Sequence, residues 1–78
     1  MNAVVKFMVE RVVDIHRLKW DSLECSSEEV ASLREQFLKG LPIASPYVTE
    51  DLRIVRNSAS FVALLSLKIS PINVVVGP

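Results

Sequence analysis

Between Cys25 and Pro42 the chain reads CSSEEVASLREQFLKGLP, which carries both the start and the stop signal of one helix. Ser26 stands as N-cap with Glu29 three residues on, a capping box in which the serine hydroxyl takes an otherwise orphan backbone N–H. Cys25 and Val30 are spaced to form the hydrophobic staple across that cap. Val30, Leu33, Phe37 and Leu38 follow at i, i+3, i+7 and i+8, which gives a single apolar stripe. Glu28 and Glu29 suit the positive end of the helix dipole and Lys39 the negative end. Gly40 can take the left-handed conformation that closes a helix, and Pro42 prevents continuation. The pattern predicts a helix over 27–39.

The segments on either side are less constrained. NAVVKFMVERVVDIHRLKW is rich in valine, which favours strands. On a helical wheel, however, Lys6, Glu10, Asp14 and Arg17 gather within roughly 80°, and Val5, Met8, Val9, Val12 and His16 lie opposite. About eighteen residues without Gly or Pro is common for a helix and long for a strand, so length favours a helix over 3–20. In SPYVTEDLRIVRNSASFVALLSLKIS, Ser45 or Thr49 can cap, Pro46 suits a first helical position, and Glu50 and Asp51 suit a first turn. Most apolar residues of 47–68 fall on one half of the wheel, opposite Arg53, Arg56, Asn57, Ser60 and Lys68. RNSAS is weak helix material, and Phe61, Ala63, Leu65, Leu67 and Ile69 also alternate as in a strand. Pro71 ends the segment, and INVVV after it is extended because consecutive β-branched residues favour the pleated backbone.

The expected fold is therefore all-α: a small three-helix domain over about 3–20, 27–39 and 47–69, with an extended apolar C-terminal tail over 70–78. The whole chain, 1–78, is read as a single domain. The alternative is α+β, with a long first strand, the central helix, and the C-terminal third as a hairpin and a final strand.

Half of the 78 residues are hydrophobic, and the mean hydropathy is +0.34. A domain this small buries only roughly 60–65% of the surface its unfolded chain exposes. Apolar surface is left over, and contiguous apolar surface usually marks an interface. The candidate contact residues are Trp20, Tyr47, Phe61, Leu64, Leu67, Val74, Val75 and Val76. The apolar tail has four possible partners: its own core, a second copy, a different protein or a membrane. Membrane contact is disfavoured, because Ser66, Ser70 and Pro71 interrupt the run and Lys68 is its single charge. No segment has the pattern of a signal peptide or of a spanning helix. With one cysteine, Cys25, no intrachain disulfide is possible, which fits a reducing, cytoplasmic setting.

No group of residues points to a reaction. His16 is the single histidine, and on a helix its contact would be Trp20 at i+4 rather than Asp14 at i+2. Cys25 has no second catalytic group beside it, and Glu28 and Glu29 are better explained as dipole partners than as an acid/base pair. Two glycines cannot make a phosphate-cradling loop, and no ligand spacing suggests a metal, so no cofactor is expected. Nine basic residues balance nine acidic ones, and no field selects nucleic acid. Helices 27–39 and 47–69 would be joined by a link too long for a helix-turn-helix, and the second would open on Glu50 and Asp51, which repel phosphate. The expectation is a non-enzymatic protein–protein interaction module (a regulator, adaptor or inhibitor) that self-associates as a homodimer or small homo-oligomer, or docks on a protein partner. The alternative is a small nucleic-acid-binding regulator using Arg53, Arg56 and Lys68.

Overall fold

The valine-rich segment that the helical wheel assigns to a helix forms a strand. A computed structural model describes residues 9–22 and 25–77. The predicted helix positions 3–8 and Pro78 of the tail lie outside those residues. Strand β1 is Val9–Val13, and a single 3-10 turn follows at Ile15–Arg17. Length misleads here because Asp14 divides the segment. Its carboxylate accepts the His16 backbone N–H at 2.9 Å and caps the turn, so the β-branched residues before it are free to pair as a strand.

The central helix α1, Ser27–Leu38, forms where its signals place it. The Ser26 hydroxyl accepts from the Glu29 N–H at 3.0 Å. At the other end Gly40 has φ 79°. Its N–H donates to the Phe37 carbonyl at 3.0 Å, and the Leu41 N–H donates to the Gln36 carbonyl at 2.9 Å, the paired bonds of a Schellman closure.

The third predicted helix, 47–69, is broken at two left-handed residues. Strand β2, Tyr47–Val48, and strand β3, Ile54–Arg56, form a hairpin. The Leu52 N–H donates to the Thr49 carbonyl at 2.9 Å, and Leu52 itself has φ 68°. That is a tight turn followed by a left-handed residue, a common hairpin closure. Asn57 (φ 59°) then redirects the chain into helix α2, Ser58–Ser66. Its side-chain amide donates to the Ser45 carbonyl at 2.9 Å, tying the start of α2 to the approach to β2. The helix ends at Lys68 (φ 58°), whose N–H donates to the Leu65 carbonyl at 3.0 Å, while the Ile69 N–H reaches the Leu64 carbonyl at 3.0 Å. This is a second Schellman closure, with lysine where glycine is usual.

The apolar tail is strand β4, Ile72–Val76, and it lies inside the sheet. The strand order is β1-β4-β2-β3. β4 runs antiparallel to β1, with Val9 opposite Val76 and Val13 opposite Ile72, and parallel to β2, with Tyr47 beside Val75 and Val48 beside Val76. Ile72 and Val74 are buried and Asn73 between them is exposed, so one face of the sheet meets the helices. The core consists of Ile15, Leu18, Val48, Phe61, Leu64, Ile72 and Val74. Helix α2 packs on the sheet, and α1 packs on α2.

The fold is thus α+β, two helices with a four-stranded mixed sheet, and the all-α expectation is corrected. The three-helix arrangement fails because strand pairing between the two ends of the sequence satisfies the backbone of both valine runs at once. A helical wheel contains no information about such a pairing.

Candidate functional site

The helices occupy one side of the sheet, and the other side carries Glu10, Val12, Tyr47, Asn73 and Val75. None of these five is buried. Tyr47, Val75 and Gly77 follow one line across the β2–β4 pair, and the Tyr47 ring lies over Gly77, where a Cβ would collide with it. Gly77 is fully covered in consequence, and its N–H donates to the Val48 carbonyl at 2.9 Å. Beyond this line, Val12 is 65% exposed. Its strand, β1, is an edge strand whose outer side has no partner among the described residues.

An exposed aromatic lies beside the opposite edge. Lys19 pairs with Arg53 alongside β3, its N–H reaching the Leu52 carbonyl at 2.9 Å and its carbonyl accepting from the Ile54 N–H at 2.9 Å. That pairing holds Trp20 over Phe61 with ring centroids 5.1 Å apart and planes tilted by 48°. Phe61 is buried, while Trp20 remains 46% exposed. Arg53 is engaged there, at 2.6 Å from Asp21 and 4.0 Å from Asp51. Asp51 also accepts the Thr49 hydroxyl, which holds its carboxyl below the ordinary carboxylate range.

The structure divides the candidate contact residues. Phe61, Leu64 and Val74 are core residues, because α2 and β4 are the centre of the fold rather than its periphery. Leu67, Val75, Val76 and Tyr47 are half-buried, and Trp20 is exposed. Val12, which the wheel places on a buried helix face, is the most exposed of the sheet's large apolar residues. The alternation Val9, Arg11, Val13 against Glu10 and Val12 is the signal that identifies it, once the segment is known to be a strand.

Other candidates separate. His16 is exposed in the 3-10 turn, so the helical spacing to Trp20 does not exist. Cys25 is a free, half-buried thiol beside the N-cap of α1. Among the described residues no cluster of His, Cys, Asp and Glu is placed to hold a metal ion. Arg53 and Arg56 lie on and beside β3, and the nine residues of α2 separate them from Lys68 by roughly 13 Å of helix. Among the described residues, no helix is long and apolar enough to cross a membrane.

No family model matches the sequence, and no curated protein matches it. Solved structures do. A pNOB8-like ParB N-domain in its C2221 crystal form superposes with a TM-score of 0.77 at 14% identity, over 96% of this chain and 32% of that one. A second structure of a pNOB8-like ParB N-domain gives 0.74 at 17% identity, over 99% of this chain and 30% of that one. The fold is ParB N-domain-like. At these identities the likeness is one of fold, and the chain spans about a third of the length of those neighbours.

Proposed function

We propose that this chain is a non-enzymatic, regulator-type protein-interaction module that docks a protein partner on the helix-free face and the β1 edge of its sheet. The observation that carries the reading is the helix-free side of the sheet, where exposed Val12 stands on edge strand β1 near half-buried Val75 and Tyr47, and where that edge has no partner among the described residues. Edge strands accept a further strand through their backbone groups, and flanking apolar side chains select what binds. Trp20, resting on Phe61 of α2 beside the opposite edge, is a separate exposed aromatic of the type that dominates interface energies. The ParB N-domain likeness supports a regulatory, cytoplasmic setting for such a module. Association with a second copy is part of the same reading.

The test is capture from the native host on the full chain tagged at Met1, with Val12→Lys and the control Ser32→Lys, and mass spectrometry of what is retained. Val12→Lys is expected to lower recovery of a specific protein about ten-fold while folding is unchanged. Equal recovery by parent, Val12→Lys and control would remove the reading.

A second reading, a nucleic-acid-binding regulator, has one observation in its favour: the fold likeness to pNOB8-like ParB N-domains. The pairing of Arg53 with Asp21, and the distance from Arg56 to Lys68, weigh against it. A salt-sensitive shift of random duplex at low salt, lost in Arg56→Glu, would support it over docking.

A further inference from the structure

We propose that the outer face of α1 is where two copies of this chain associate, side by side and parallel, about a two-fold axis running along the helix. This deepens the interaction-module reading above and rests on it.

No residue of α1 is buried, although the helix is capped at both ends. Its inner side, Val30, Leu33, Gln36 and Phe37, is half-buried toward α2. Its outer side presents Ala31, Arg34, Glu35 and Leu38, all exposed. Leu38 is 69% exposed, and Leu41, just past the helix, is 52% exposed. An isolated exposed leucine needs no explanation, but Leu38 shares one shallow depression with Ala31, Arg34, Glu35 and Lys39, while Leu41 borders a separate groove beside Phe37. Helices this short gain little stability from their own backbone, so a second covered side would add to what α2 supplies.

Charge decides the occupant and its direction. Seven residues make two turns, so Ala31 and Leu38 fall on one line, with Arg34 and Glu35 level with each other on opposite sides of it. A parallel second copy sets Leu38 against its counterpart and Ala31 against its counterpart. It also brings each Arg34 level with the Glu35 of the other copy, which makes two ion pairs by symmetry. An antiparallel copy would instead set Arg34 against Arg34 and Glu35 against Glu35, which is repulsive. Glu35 now pairs with Lys39 at 2.8 Å, but both side chains are well exposed, and sharing that carboxylate between two cations costs little.

The test is sedimentation equilibrium of the whole chain from about 10 µM to about 1 mM. The parent is expected to dimerise within that range and Leu38→Glu to stay monomeric. Arg34→Glu or Glu35→Arg alone is expected to weaken the dimer about ten-fold or more, because each turns two attractions into two repulsions. An equimolar mixture of the two variants should recover parental affinity to within about three-fold, since one then carries two acidic and the other two basic side chains. The loss in each variant alone is what marks the pair as parallel, because an antiparallel parent already sets like charges together. All three positions are exposed, so circular dichroism should show every variant folded. A parent that stays monomeric throughout, variants that dimerise like the parent, or a mixture that fails to recover would each overturn the proposal. Partner capture that still depends on Val12 but not on Leu38 would leave the docking reading standing while this one falls.

Discussion

Lys68 occupies a position that chemistry reserves for glycine. At φ 58° its Cβ is strained, yet it closes α2 with both Schellman bonds. Its side chain is exposed, so little packing is lost on removing it. Lys68→Gly should therefore raise stability by about 0.5–1 kcal/mol, read as a higher urea midpoint with an unchanged slope. An unchanged or lower midpoint would contradict the strain. Asp14 works in the opposite sense. The His16 N–H, with help from the Ser70 hydroxyl, holds its carboxyl below the ordinary value of 3.8. A depressed folded-state pKa means the carboxylate's contribution is fully present above that value and is lost as pH falls through the folded one. Urea midpoints of the parent and Asp14→Ala should thus differ at neutral pH and converge as pH falls below the ordinary carboxylate range; a constant gap would rule this out. Gly40 was legible from sequence because glycine after a helical run is itself the signal. Lys68 was not, because nothing about lysine announces a positive φ.

Elements differ in the same way. Helix α1 could be read from sequence because its instructions are local: a cap at Ser26, a glycine at Gly40 and a stripe between them. The strands could not, because Val9–Val13 and Ile72–Val76 become strands by pairing with each other across nearly the whole sequence. Each alone is a short apolar run that fits either period. The β2–β4 pair contains its own register lock, the Tyr47 ring over Gly77. Gly77→Ala should cost about 1–3 kcal/mol, as overpacking does, and Tyr47→Ala in the same chain should restore part of the loss. Thermal melts of the two single variants and the double variant give the coupling. Purely additive effects would show that the contact is incidental.

For the whole molecule, β4 is the strand on which the rest depends. It pairs with β1 on one side and β2 on the other, and it supplies Ile72 and Val74 to the core. Removing Ile72–Pro78 should leave a chain without a cooperative unfolding transition; a folded, truncated monomer would contradict the central placement. The excess of apolar residues pointed to apolar surface left outside the core, but not to where on the fold it lies. Choosing between Val12 outside and Val74 inside requires knowing which face of the sheet the helices cover, and that is a property of the assembled fold. Trp20 illustrates a related consequence. It is the single tryptophan, resting on buried Phe61 with nearly half its surface in water. Its emission therefore starts between two extremes, and the two events of interest move it in opposite directions. Unfolding sends it to the red as water surrounds the indole. A partner seated over the ring sends it to the blue, so the intrinsic fluorescence of the unlabelled chain tells binding from melting in one cuvette.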